Sequence, residues 1–156
     1  MQTVYLDYAA TSFPKPPCVG ERMRQYVDRI GANINRGSYD TAQQAGMTAL
    51  LLRQRLARLF GLGDPTHVVL TPGNTWGLNM LLRGLLRPGD HCIVSAMEHN
   101  AVMRPLTQLA QCGVAFDRIP CDAAGRLCME QIENLFRPNT RLVLLAHASN
   151  VSGTVQ

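Results

Sequence analysis

Apolar residues along this chain fall into short continuous runs and into longer stretches with helical spacing. The short runs are typical of strands, and turn-forming residues bound them. They cover residues 4–6, 68–70, 91–95, 114–119 and 142–146. The helical spacing predicts helices over residues 19–30, 41–60, 75–85 and 128–136, and another helix that ends at Gln111. Strands and helices that alternate in this order predict an α/β fold with a mostly parallel sheet.

Local signals indicate where some of these elements begin and how they are buried. Thr41 and Gln44 have the spacing of a capping box at a helix N-terminus. Pro105 suits the first turn of the helix that ends at Gln111. Residues 142–146 are uninterruptedly apolar, which predicts a strand buried on both faces of a parallel sheet.

The most informative stretch is residues 68–79, a predicted strand followed by a tight turn and a helix. Pro72 and Gly73 end the strand, and Asn74 or Thr75 can cap the helix. Such a turn leaves backbone N–H groups unpaired at the positive end of the helix dipole, so a phosphate can bind there without Lys or Arg. An ordinary strand-to-helix turn is the simpler interpretation of this stretch when it is taken alone.

Polar loops follow three of the predicted strands. They are residues 73–75, 98–100 and 147–150, and two of them contain a histidine. Ligands of parallel α/β sheets bind at the carboxyl ends of the strands, so these loops form the candidate site. The sequence has no GxGxxG, GxxxxGK or GxSxG motif, which argues against dinucleotide, nucleoside triphosphate and α/β-hydrolase sites.

Composition narrows the class of protein further. The 156 residues suffice for one domain with a core, and the formal net charge is +4. Of the 15 basic residues only Lys15 is a lysine, so 14 are arginines, and their scatter predicts no nucleic-acid surface. No apolar run is long enough for a membrane span. The five cysteines lack metal-ligand spacing, so no metal site is expected, and they indicate reduced thiols of a cytoplasmic protein.

Five segments of the chain resemble the N-terminal part of the class V aminotransferases, and in particular the cysteine desulfurases. These are fold-type I enzymes that use pyridoxal 5'-phosphate (PLP). The segments occur in the family's order and spacing and extend over essentially the whole chain. They are residues 5–11 (YLDYAAT), 35–37 (NRG), 70–79 (LTPGNTWGLN), 97–102 (MEHNAV) and 147–154 (HASNVSGT).

The resemblance implies roles for residues in the three polar loops. Thr75, with the backbone of Gly73 and Asn74, matches the cup that holds the phosphate of PLP. His99 matches the imidazole that stacks on the pyridine ring and takes part in proton transfer. Asn150 matches the amide that hydrogen-bonds the phenolic oxygen of the cofactor.

The resemblance also implies a division of the chain and a partner subunit. Asn35 and Arg36 match a loop at the mouth of the site and are expected to bind substrate. Residues 1–40 are then an N-terminal segment near this mouth, and residues 41–156 belong to an incomplete PLP-binding large domain. The intact enzyme is expected to be a homodimer that hands sulfur to an acceptor protein.

Two positions depart from the family pattern beside the expected phosphate cup. Asn74 stands where the family usually has a small residue, and Trp76 stands where it usually has an acidic one. A tryptophan at this position alters the packing next to the cup and therefore the expected fit of the cofactor.

The sequence lacks the residues for covalent chemistry. PLP enzymes need a Schiff-base lysine and an acid near the pyridine nitrogen. Lys15, between Pro14 and Pro16, does not match that lysine, and none of the cysteines matches the one that takes sulfur. The resemblance places these groups beyond Gln156, so we expect an inactive fragment of a longer enzyme.

Three functions remain open at the level of sequence. The first is a part of a cysteine desulfurase, which converts cysteine to alanine and enzyme-bound sulfur. The second is a part of another class V enzyme that catalyses transamination or β-elimination. The third is a non-catalytic module that binds PLP or phosphate.

Overall fold

In the computed structural model, residues 4–34 and 36–156 are described, and the chain divides into two compact units at the Leu70–Thr71 bond. The first unit contains helices α1 (Pro17–Arg29) and α2 (Asp40–Leu59) and a short 3₁₀ helix (Pro65–His67). The second contains, in chain order, α3 (Asn74–Leu85), β1 (His91–Ser95), α4 (Asn100–Gln111), β2 (Ala115–Ile119), a 3₁₀ helix (Met129–Leu135) and β3 (Thr140–Leu144).

The three strands of the second unit form a parallel sheet in the order β2-β1-β3. Ile93 in the middle of β1 lies opposite Asp117 of β2 and Val143 of β3. Every residue of β1 is buried, because it has a strand on each side. The parallel sheet confirms the fold predicted from the alternating pattern, and it brings the carboxyl ends of the three strands to one edge.

Helices α3 and α4 pack against each other and against the sheet, and their apolar faces form the core of the second unit. Helix α3 contributes Leu82, whereas α4 contributes Val102 and Leu106. Strand β1 contributes Cys92 and Val94. Each helix leads into the amino end of the next strand, α3 into β1 and α4 into β2. The N-termini of both helices therefore lie at the edge of the sheet where the strands end.

Two segments that were predicted as strands are not strands. Residues 4–6 and 68–70 pair with no strand in the described part of the chain. In the second of these segments, the side chain of Val69 is 67% exposed. The prediction was wrong because β-branched composition favours an extended backbone, but only a neighbouring strand makes that backbone part of a sheet.

Strand β3 lies two residues earlier in the chain than predicted and is more exposed. It runs from Thr140 to Leu144 rather than over residues 142–146, and its residues alternate between more and less exposed. Leu142 and Leu144 pack against the core, while Val143 is 37% exposed. The expected burial on both faces was wrong because β3 forms an edge of the described sheet.

Helix boundaries and types also differ from the predictions in places. Helix α2 begins at Asp40 without a side-chain cap, so Thr41 and Gln44 form no capping box. Pro105 lies inside α4 rather than in its first turn. The segment predicted as a helix over residues 128–136 is a 3₁₀ helix without a side-chain cap, a form common in short segments.

Helix ends that depend on glycine agree with the predictions. Gly113 follows α4 with φ +92°, a left-handed conformation that glycine adopts without strain.

Among the residues described, no helix combines the length and the apolar character needed to cross a lipid bilayer.

Candidate functional site

The N-terminus of α3 carries no side-chain cap. Its cap residue is Gly73, and neither Asn74 nor Thr75 caps the helix, contrary to the prediction. The Thr71 hydroxyl donates to the Gly73 carbonyl at 3.0 Å, which holds the turn. A Cβ placed on Gly73 would meet no atom within 4 Å, so open space lies beside the first N–H groups of the helix. This terminus therefore suits an anionic group.

His99 is the cap residue of α4. Its Nδ1 atom accepts a hydrogen bond of 3.0 Å from the backbone N–H of Ala101. An accepting nitrogen carries no proton, so the neutral imidazole has its proton on Nε2. The side chain is exposed, which leaves the ring face and Nε2 accessible to a ligand.

Glu98, which precedes His99, joins the ends of two strands. Its Oε1 atom accepts hydrogen bonds from the Ser95 hydroxyl at 2.6 Å and from the Ala146 backbone N–H at 2.7 Å. The sequence predicted no role for this residue. It could not be found from the chain alone, because its backbone partner lies 48 residues away.

Two clefts of the second unit share His99. The first, which we call the Thr75–His99 cleft, has a volume of about 370 Å³ and lies along α3 and α4. The second, the His99–Asn150 cleft, has a volume of about 390 Å³ and is also lined by Glu98 and Ser149. His99 thus lines both clefts, with Thr75 in the first and Asn150 in the second. Gly73 and Asn74 directly precede Thr75 at the same helix terminus.

Asn150 lies at the tip of a loop that is closed by its own hydrogen bonds. The Ser149 hydroxyl accepts from the N–H groups of Val151 and Ser152, each at 3.2 Å. Ala148 and Val155 pair across the base of the loop. Asn150 is exposed and lines the His99–Asn150 cleft from a braced loop.

The Thr75–His99 cleft contains two arginines that were not among the predicted site residues. Arg83 donates to Asn79 Oδ1 at 3.4 Å and to Gln108 Oε1, which links α3 to α4. Arg104 also lines the cleft. Their charges add to those of the two helix N-termini and favour an anionic ligand. Thr75, Asn79 and Arg83 recur every four residues, a spacing that could have placed Arg83 on this face.

The two predicted substrate-binding residues precede the second unit in the chain. Asn35 is outside the described residues, and Arg36 is an exposed residue of the first unit. Trp76 is 63% exposed and, with Met80, lines a third cavity of about 470 Å³. This cavity shares its other lining residues with the Thr75–His99 cleft; they are Thr75, Asn79 and Arg83. In residues 4–34 and 36–156, no three His, Cys, Asp or Glu side chains form a group that could hold a metal ion.

Comparison with known proteins assigns the family. The sequence profile described as "Aminotransferase class-V" matches residues 4–156. The chain belongs to the class V aminotransferase family. This confirms the resemblance drawn from the five sequence segments, and it accounts for a parallel sheet with polar loops at its carboxyl edge.

Relatives within the class V family include cysteine desulfurases. A probable cysteine desulfurase of Vibrio cholerae is 34% identical over an alignment of 158 positions, which covers 98% of this chain and 39% of that protein. The crystal structure of the cysteine desulfurase CsdA of Escherichia coli superimposes with a TM-score of 0.78 at 32% identity and covers 97% of this chain and 39% of that one. The chain therefore spans about two-fifths of the length of such relatives.

A third similar protein was solved with PLP. In a variant of C-DES, glycine is covalently linked to PLP; that structure is 26% identical, has a TM-score of 0.66 and covers 86% of this chain and 35% of that one. Two features of this chain suit parts of the PLP molecule. Its uncapped α3 terminus suits the phosphate, and the exposed His99 ring offers a flat aromatic surface beside it.

Proposed function

We propose that this chain forms the phosphate and ring-binding part of a PLP site in a cysteine desulfurase. The observation that carries the proposal is that His99 lines both clefts, with Thr75 in one and Asn150 in the other. A phosphorylated pyridine ligand needs an anion site, an aromatic surface and a polar group for its ring oxygen. The α3 terminus supplies the first feature, the His99 ring the second and Asn150 the third in this proposal.

Each residue has a separate task in this proposal. The N–H groups after Gly73, together with the Thr75 hydroxyl, bind the phosphate, and Asn74 contributes its backbone. His99 stacks on the ring and presents its proton at Nε2, because Nδ1 accepts the bond from Ala101. The Asn150 amide donates to the ring oxygen. PLP, when bound, supplies the electron-withdrawing ring that activates an amino acid.

The proposed substrate of the enzyme is cysteine, as the names of the relatives suggest. Sulfur would leave as enzyme-bound sulfur, alanine would be the other product, and a sulfur-acceptor protein and a second subunit would be the partners. Asn35 and Arg36 remain predicted substrate-binding residues. We propose that the 156-residue chain alone is catalytically inactive, because its one lysine, Lys15, does not match the family's Schiff-base lysine. Lys15 instead donates to Thr11 Oγ1 and to the Ser12 carbonyl.

Calorimetric titration with pyridoxamine 5'-phosphate tests the binding site. This probe carries an amine in place of the aldehyde, so it cannot react with Lys15. Thr75→Ala should weaken binding about tenfold, the effect of losing one hydrogen bond to a charged group. Thr107→Ala is the matched control, because its hydroxyl donates to the Met103 carbonyl within α4.

The same titration separates the alternatives. Pyridoxamine without phosphate should bind much more weakly than the phosphorylated probe. Absence of binding, or equal affinity in Thr75→Ala and the unaltered chain, contradicts the proposed site. Binding without alanine or sulfide production from cysteine by the protein purified from its source would favour a non-catalytic module, and an oxo acid as product would favour transamination.

A further inference from the structure

One carboxylate oxygen ties together the two strand ends that carry the candidate site. Glu98 Oε1 accepts from Ser95, the last residue of β1, and from the backbone N–H of Ala146, two residues beyond β3. Ser95 is 1% exposed, so one of the two bonds is made inside the protein, where water does not compete for it.

The residues that flank these two bonds are the ones that face the His99–Asn150 cleft. His99 follows Glu98 directly, and Asn150 lies four residues after Ala146. Glu98 and both of these residues line the cleft. Hydrogen bonds to one oxygen atom, Glu98 Oε1, therefore hold the backbone near His99 and the backbone near Asn150.

We infer that Glu98 is a positioning residue: its two hydrogen bonds hold His99 in the orientation that caps α4 and set the separation of His99 from Asn150. The inference rests on the proposed function in assigning His99 and Asn150 to the ligand. Glu98 acts through its neighbours. Without its carboxylate, residues 96–99 lose their link to β3, and the bond from Ala101 N–H to His99 Nδ1 is no longer enforced.

The orientation of His99 can be measured without any ligand. In protein labelled with ¹⁵N at histidine, long-range ¹H–¹⁵N spectra distinguish a ring held as the Nε2–H tautomer from one that exchanges between tautomers. The spectra are recorded at about pH 8.5, where an imidazole is neutral. His99 in the unaltered chain should show the Nε2–H tautomer, and in Glu98→Ala it should show averaged ring-nitrogen shifts.

Two further variants separate geometry from charge. Glu98→Gln keeps an oxygen that can accept both bonds and should retain the Nε2–H tautomer of His99. Glu133→Ala removes an exposed carboxylate from the 3₁₀ helix before β3 and should change nothing at His99. His91 serves as an internal reference, because its ring is buried at the opposite end of β1.

Three results would overturn the inference. His99 could keep the Nε2–H tautomer in Glu98→Ala, or it could lose that tautomer equally in Glu98→Gln. His91 could change together with His99 in Glu98→Ala, which would show that Glu98 supports the whole sheet rather than the site.

A second measurement connects the position of His99 to the ligand. Affinity for pyridoxamine 5'-phosphate should fall about tenfold in Glu98→Ala and recover in Glu98→Gln. If the unaltered chain binds no probe, the proposed function fails, whereas the tautomer spectra still decide the role of Glu98. If the probe binds Glu98→Ala and the unaltered chain equally well, the positioning role toward the ligand is overturned.

Discussion

The two ends of the β1 region each carry a histidine beside a carboxylate, but the two arrangements serve different purposes. At the start of β1, His91 is fully buried, and both ring nitrogens face polar side chains of neighbouring strands. After its other end, His99 is exposed, with one nitrogen in a helix cap and the other facing a cleft. A histidine whose polar atoms are enclosed by the protein supports the fold, whereas one with a free ring face is available to a ligand.

The His91 end is a closed network. Nδ1 lies 2.8 Å from Thr140 Oγ1 of β3, and Nε2 lies 3.2 Å from Asp117 Oδ2 of β2, although this second contact is not aligned as a hydrogen bond. Arg137 forms a 2.6 Å ion pair with the same Asp117 oxygen, and its backbone N–H donates to Thr140 Oγ1 at 2.8 Å. These contacts join all three strands around a fully buried ring.

The His99 end is open by comparison. Its hydrogen bonds brace the backbone of the loops and the carboxylate of Glu98, while Thr75, His99 and Asn150 line clefts. The two histidines differ in which end of the strands they occupy. Ligands bind at the carboxyl edge of a parallel sheet, where His99 lies, whereas His91 lies at the opposite edge and stabilises the fold.

The largest expected effect comes from breaking the closed end. His91→Ala should lower the free energy of unfolding by about 3 kcal/mol, because it leaves a cavity and removes the partner of Thr140 and Asp117. Urea denaturation of the variant measures this loss. His147→Ala, which removes an exposed ring, should change stability by less than about 0.5 kcal/mol. A loss below 1 kcal/mol in His91→Ala would show that the network does not support the sheet.

The second effect concerns Cys92 in the middle of β1, whose ionisation should make the stability of the fold depend on pH. Burial, with a smaller contribution from the charge of Glu98, raises the pKa of the Cys92 thiol to about 11. In the unfolded chain the thiol ionises at about 9, so the stability that comes from keeping the thiol protonated is complete below that pH and is lost as the pH rises through 11. The loss should reach about 2 kcal/mol.

Denaturation measured between pH 8 and 11 tests this effect. A variant is needed to isolate the contribution of the thiol, because other groups also titrate in this range. The decline should be smaller in Cys92→Ala than in the unaltered chain. Cys112→Ala is the control, since that thiol is exposed and should leave the decline unchanged. An identical decline in Cys92→Ala would contradict the assignment.

Local signals were enough to predict β1 and the end of α4 in the second unit. The apolar run of residues 91–95 coincides with β1, and Gly113 ends α4 as expected, because both depend on residues close in the chain. Residues 68–70 show the opposite case. Their composition is that of a strand, but pairing depends on a distant segment that composition does not reveal.

The candidate site divides in the same way. Thr75, His99 and Asn150 were found because each follows an apolar run and matches a family segment, and the structure brings them around shared clefts. Glu98 and Arg104 were missed, although Glu98 lies within a matched segment. Their positions depend on contacts between elements: Glu98 bonds to Ala146, and Arg104 faces a cleft shared with α3.

The smallest expected change in stability comes from the open end. His99→Ala should lower the free energy of unfolding by only about 0.5 kcal/mol, since it removes an exposed ring and one capping bond. The same variant should weaken binding of pyridoxamine 5'-phosphate about tenfold, because the ring contact and the Nε2 proton are lost. Denaturation and calorimetry on one protein preparation measure both quantities. A large loss of stability with unchanged affinity would reverse the comparison, because it would make His99, like His91, a part of the fold rather than of the site.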